Sequence, residues 1–143
     1  MKAKRFVDKG MSNDQPVQRW FIDLTWFDQH NHSFLALAEG YLCPKCRKRL
    51  EGGKGEISAA DLLSSIKDCC AKTPGFVTAK SPILDSIFRL FLANGNQPLD
   101  LEELSKQLAE WRGGTYRASP QTLPRLLSHD RYYGLRQVQD LGN

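Results

Sequence analysis

No stretch of this 143-residue chain approaches the roughly 18–20 consecutive apolar residues that a membrane-spanning helix requires. The basic N-terminus, Met1 to Gly10, lacks the apolar core of a signal peptide. The expectation is a soluble, cytoplasmic protein without a membrane partner, able to associate with the nucleoid. Enzyme signatures are missing as well: there is no Walker loop, no Gly-x-Ser-x-Gly, no dinucleotide fingerprint and no His-Glu-x-x-His pair. Gly52-Gly53-Lys54-Gly55 lacks the spacing of a phosphate cradle and reads as a hinge, and His129-Asp130 has no nucleophile beside it. The chain is therefore expected to be non-enzymatic, with no small-molecule substrate. Cysteine is absent before residue 43 and after residue 70.

Between those limits lie Cys43-Pro44-Lys45-Cys46 and Cys69-Cys70, all four cysteines within 28 residues. A Cys-x-x-Cys turn aims two sulfurs at one point, which is half of a tetrahedral zinc site, and a reducing compartment favours metal over disulfides. The 22-residue gap to Cys69 suits a zinc knuckle. Cys69 and Cys70 are the harder half, because adjacent helical residues diverge by about 100° and converge on one metal only where the helix ends. Pro74-Gly75 soon afterwards makes such an ending plausible. Failing that, one cysteine ligates and His30 or His32 completes the site. The competing reading keeps all four thiols unliganded, since Cys69 and Cys70 continue the apolar phase of Leu62 and Ile66. An iron–sulfur cluster, a redox pair and a disulfide stand behind these. A structural zinc held by Cys43, Cys46, Cys69 and Cys70 is the leading expectation.

The net charge is only +4, but it is segregated. Lys45, Arg47, Lys48 and Arg49 crowd the cysteine turn, either as a solvated loop or as phosphate contacts beside a rigid metal knuckle. Asp100, Glu102, Glu103 and Glu110 precede a stretch in which Arg112, Arg117, Arg125, Arg131 and Arg136 face only Asp130.

Residues 1–18 show little periodicity and read as a flexible arm. Asp23 caps a helix of about four turns, with Phe27, His30, Phe34, Leu37, Ala38 and Tyr41 on one face. Trp26 and Phe27 open it and pack on the core. Residues 47–56 read as a loop with a basic first half. Ser58 with Asp61 caps a helix through Leu62, Leu63 and Ile66 to the cysteines, stopped by Thr73-Pro74-Gly75. Residues 76–80 are a connector and the expected domain boundary.

The second half is punctuated regularly. Ser81-Pro82 opens a helix with Ile83, Leu84, Ile87, Phe88, Phe91 and Leu92 on its apolar face, ended by Asn94-Gly95-Asn96. Asp100 with Glu103 caps the next, which carries Leu101, Leu104, Leu108 and Trp111 inward and ends at Gly113-Gly114. Ser119 to His129 reads as a third helix, or one starting near Thr122 because of Pro124. Tyr132 to Val138 reads as a strand or small hairpin.

The segments ILDSIFRLFLANG, QPLDLEELSKQLAE and YYGLRQV, in that order, resemble the winged helix-turn-helix superfamily, most of all the HARE-type module of the bacterial RNA polymerase delta subunit. The resemblance covers residues 82–138 and rests on element order and apolar positions. It implies a recognition helix offering Gln121, Thr122, Arg125, Ser128 and His129, flanked by Arg117 and Arg131, with Arg136 in the wing.

The expected architecture is mainly α with a small β-wing: an arm over 1–18, a helical zinc-clamped unit over 19–76 and a winged helix over 81–139. The expected function is association with nucleic acid, DNA foremost, linked to transcription, through Lys45, Arg47, Lys48, Arg49, Arg117, Gln121, Arg125, Arg131 and Arg136. The alternative is a protein-interaction adaptor that docks a partner on Tyr132, Tyr133 and Leu135.

Overall fold

The computed structural model describes residues 18–51, 57–78, 80–112, 119 and 121–138. Residues 1–17 of the arm expected over 1–18, the hinge glycines at 52, 53 and 55, the helix stop at Gly113-Gly114, Arg117 and residue 139 lie outside the described residues. In chain order the elements are β1 (Arg19–Ile22), α1 (Leu24–Gln29), α2 (Phe34–Glu39), α3 (Pro44–Glu51), α4 (Ala59–Asp68), a 3-10 turn (Cys70–Lys72), α5 (Ile83–Ala93), β2 (Leu99–Asp100), α6 (Leu101–Trp111), α7 (Leu123–Ser128) and β3 (Leu135–Gln137). The fold is mainly helical with a small antiparallel sheet in the order β2-β1-β3.

Local chemistry explains most helix starts. The Asp23 carboxylate accepts from Thr25 N, the Ser58 hydroxyl from Asp61 N and the Asp100 carboxylate from Glu103 N, each answering a donor that the first helical turn leaves open. Pro82 itself is the N-cap of α5, one residue later than the Ser81 cap expected, and its carbonyl accepts from Ser86 N. Asn94-Gly95-Asn96 ends α5 through two left-handed residues, Gly95 at φ 77° and Asn96 at φ 63°. Pro124 sits in the first turn of α7, so the helix starts after Thr122 rather than at Ser119.

Several elements differ from the expectation. The single helix over Phe27 to Tyr41 is two, because Asn31 adopts φ 56° and Ser33 starts α2 by accepting from Ala36 N. Arg47 to Glu51 is not loop but the body of α3, which Pro44 opens with its fixed φ and missing N–H. Trp111, expected in the core, is 36% exposed at the end of α6, where Leu104 and Leu108 already fill the interior and its ring lies edge-on to Phe76. The C-terminal segment forms no hairpin among the described residues. Its strand β3 pairs with β1 instead (Ile22 with Leu135, Trp20 with Gln137), and β1 also pairs with β2 (Trp20 with Leu99).

One contiguous core runs from Trp20 and Ile22 through Phe27, Phe34, Leu62 and Ile66 to Phe88, Phe91, Leu104, Leu123 and Leu135. Phe76 and Val77, in the connector, are buried in it. Cys46 and Cys70 are buried at its margin. Among the described residues, no helix is long and apolar enough to cross a membrane.

Candidate metal centre

The four cysteines come from two short elements facing each other. Cys43 precedes α3 and Cys46 lies in its first turn, so the Cys-x-x-Cys turn is a helix start rather than a free knuckle. On the other side α4 stops at Asp68. Cys69, at φ −129° and ψ −64°, breaks the helical path, and Cys70 begins the 3-10 turn. The helix thus ends where both cysteines need it to end if they are to face one point.

The sulfurs converge. Cys43 Sγ lies 3.4 Å from Cys70 Sγ and 3.8 Å from Cys69 Sγ, and the Cys43, Cys46 and Cys70 sulfurs all fall within 4.8 Å of one another. Zinc–thiolate bonds of about 2.3 Å in a tetrahedron space sulfurs about 3.8 Å apart, so Cys43, Cys46 and Cys70 suit three corners of one tetrahedron, while Cys69 stands outside that three-sulfur group and approaches it through Cys43. The spacing is too wide for a disulfide, whose sulfurs sit about 2.05 Å apart, and all four cysteines are free. It is too narrow for an iron–sulfur cluster that hangs each thiolate on a different iron. The expected substitute ligands are elsewhere: His30 and His32 stack on Trp26, and His30 Nδ1 bonds the Trp26 carbonyl. Among the described residues, no other group of three or more His, Cys, Asp or Glu side chains could hold an ion.

Each environment tunes its thiol. The Cys46 N–H directed at Cys43 holds that thiol down to about 7, ahead of any other influence. Burial pushes Cys46 and Cys70 up, and hydrogen bonding to the Cys46 sulfur pushes Cys69 up. A metal entering this group displaces the remaining thiol protons, so loading strengthens as pH rises. The donor set is all sulfur, which selects soft or borderline ions over calcium or magnesium.

The basic run divides once it is on a helix. Lys45, Arg47, Lys48 and Arg49 are all exposed, but Arg47 Nη2 donates to the Glu39 carbonyl, while Arg49 Nη2 reaches Cys46 Sγ at 3.7 Å and Ser65 Oγ at 3.2 Å. Of the second expected surface, Gln121, Arg125 and Arg131 are exposed on or beside α7. Arg131 donates to the Ser128 and Asp130 carbonyls. Arg136 is half-buried, 3.6 Å from the Asp130 carboxylate and over the Trp26 ring at 5.1 Å.

Two structural devices escaped the sequence reading. Asp130 is 1% exposed and accepts from the backbone N–H groups of Tyr132, Tyr133 and Leu135, which fixes the approach to β3. Arg112, grouped by sequence with the exposed basic stretch, is buried and donates to the Ser81 carbonyl and Ser86 hydroxyl. An isolated Asp before two tyrosines and a glycine is a signal for such a turn. Nothing local marks Arg112.

The fold and site together define a mainly helical protein with a four-cysteine group able to hold a metal ion. Comparison with family models, with curated proteins and with solved structures finds no match for this chain.

Proposed function

We propose that the protein is a non-enzymatic, zinc-stapled binding module that associates with nucleic acid, DNA foremost, in a transcription-linked role. The observation that carries the reading is α3: it buries one side chain, Cys46, yet presents Lys45, Arg47 and Lys48 to solvent. A polar eight-residue helix has too few turns to persist on its own propensity. A zinc ion bonded to Cys43, Cys46, Cys69 and Cys70 supplies the anchor, and the outer face is left for phosphate. The order helix, strand, helix, helix, strand over α5, β2, α6, α7 and β3 supports a winged-helix-like arrangement of the second half. In it Gln121 and Arg125 reach toward the nucleic acid, Arg131 stands beside them, and Arg136 acts from within the fold. Arg117 completes the proposed contacts.

The test is titration of zinc-loaded full-length protein into labelled duplex DNA at several salt concentrations. Affinity is expected to fall with log salt by about 0.9 per phosphate contact, and Lys45→Ala with Lys48→Ala should reduce that slope by about two contacts. Salt-independent or absent binding rejects the reading. One observation favours the adaptor alternative: Tyr132 is 54% exposed and lines an open cleft of ≈ 610 Å³ with Phe27, Leu37, Tyr41 and Arg89. In that case duplex DNA affinity is low at every salt concentration.

A further inference from the structure

Four thiolates around one divalent ion form a net dianion, and that charge has to be met close by. Three of the sulfurs have an N–H directed at them. Cys43 receives the backbone N–H of Cys46, and Cys70 receives the backbone N–H of Cys43 at 3.1 Å. Cys46 receives a side chain, Nη2 of Arg49, at 3.7 Å. Cys46 is also the fully buried sulfur of α3, where a bare thiolate is most costly. Arg49 is three residues beyond it on the same helix, hence on the same face. The same Nη2 reaches across to Ser65 Oγ on α4 at 3.2 Å, so one guanidinium touches a ligand sulfur and the opposite wall of the centre.

Resting on the metal reading above, we propose that Arg49 is a positioning residue of the metal centre: it donates to the Cys46 thiolate and latches α3 to Ser65, and it is not one of the phosphate contacts. One guanidinium nitrogen, Nη2, makes both contacts, held in place by the longer, planar arginine side chain, whereas an ammonium in its place keeps the charge and loses that reach and rigidity. Lys48, one residue earlier, points its charge to solvent and serves as the control.

The experiment is equilibrium competition for zinc between the full-length protein and a chromophoric chelator, for wild type, Arg49→Ala, Arg49→Lys, Ser65→Ala and Lys48→Ala. Removing an outer-sphere partner typically costs 10–100-fold in metal affinity, so Arg49→Ala should weaken zinc binding by about 10-fold or more. Arg49→Lys should recover part of the loss. Ser65→Ala should weaken binding a few-fold alone and add little in the Arg49→Ala background, because the two act through one contact. Lys48→Ala should stay within about twofold, since it touches no ligand. In cobalt-substituted protein, Arg49→Ala should move the sulfur-to-metal charge-transfer band to lower energy, and Lys48→Ala should leave it in place. That spectroscopic shift is what a merely structural arginine would not produce.

Wild-type affinity in Arg49→Ala, or an equal loss in Lys48→Ala, overturns the proposal while leaving the zinc centre standing. A wild-type protein that takes up no zinc overturns both. Should Arg49→Ala not fold, Arg49→Lys decides: a loss of more than about threefold supports the assignment, and wild-type affinity with an unmoved cobalt band rejects it.

Discussion

Gly134 shows how little room the junction before β3 leaves. Its φ is +67°, and a Cβ built there would stand 2.6 Å from the Phe27 ring, closer than any packed carbon can sit. Its carbonyl accepts from Asp23 N at 2.8 Å, so the residue also sets where β1 gives way to α1. Gly134→Ala therefore incurs a left-handed backbone cost of about 1–2 kcal/mol and an overpacking cost of about 1–3 kcal/mol. Denaturant melts should show a loss of about 2–4 kcal/mol, with the metal site still able to load. A change below about 0.5 kcal/mol would mean that the Phe27 ring swings away freely, which its full burial against Trp26 and Phe34 argues against. The neighbouring Asp130 works the other way, by satisfying backbone donors. Together with Arg136, which donates to the Leu135 carbonyl, it caps polar groups of β3 that β1 does not pair.

At the scale of elements, β1 is the piece that ties the two ends of the chain together, and Asn96 is what seats it. The Asn96 amide donates to the Ile22 carbonyl at 2.9 Å and accepts from the Ile22 N–H at 2.8 Å, standing in for a strand neighbour. Asn96→Asp preserves shape and tolerance of positive φ but opposes a carboxylate to a carbonyl. It should cost about 2–3 kcal/mol, because the Ile22 carbonyl loses its donor and faces a carboxylate, whereas Asn96→Gly, which removes the acceptor as well, should also speed hydrogen exchange at the Ile22 amide. If Asn96→Asp is neutral, the amide is not the seat. Such long-range pairing is why β1 did not stand out in the sequence. Its four residues alternate exposed and buried, but what makes them a strand is two partners far along the chain and a side chain 74 residues away. The capped helices were readable because Asp23, Ser58 and Asp100 act within three residues of their targets. The α1/α2 break was not, since one Asn in a left-handed turn leaves the apolar spacing of Phe27, Phe34 and Ala38 intact. The cysteines were readable as a group. That Cys69 and Cys70 could both face inward depended on where α4 ends, which local spacing left open.

For the molecule as a whole, the question is how much of the fold a metal held by the cysteines would support. The core from Trp20 to Leu135 is continuous, and most of it lies away from the cysteines, so the centre is not its only support. What a metal held there would support is the margin: α3, with Cys46 as its one buried residue, and the 3-10 turn, with Cys70 as its own. Chelation should therefore act regionally. Amides of Arg47 to Glu51 and of Lys72 and Thr73 should lose hydrogen-exchange protection, while those of α5 and of β1 retain it. The apo protein should still melt cooperatively but at lower temperature, because a ligand bound only to the native state stabilises it by about 2.7 kcal/mol at a hundredfold excess over its dissociation constant. Cys43→Ser should reproduce the chelated pattern without chelator, since it removes a sulfur that lies 3.8 Å from Cys69 Sγ and 3.4 Å from Cys70 Sγ. An apo protein with α3 fully protected and an unchanged melting temperature would show that the thiols are buried groups that never needed an ion. Global unfolding on chelation would instead make the centre the nucleus of the fold, against the distribution of buried side chains. The regional outcome is the one the packing demands, because Cys46 and Cys70 are the buried residues of α3 and the 3-10 turn, and Leu50 and Ala71 are only partly buried against the core.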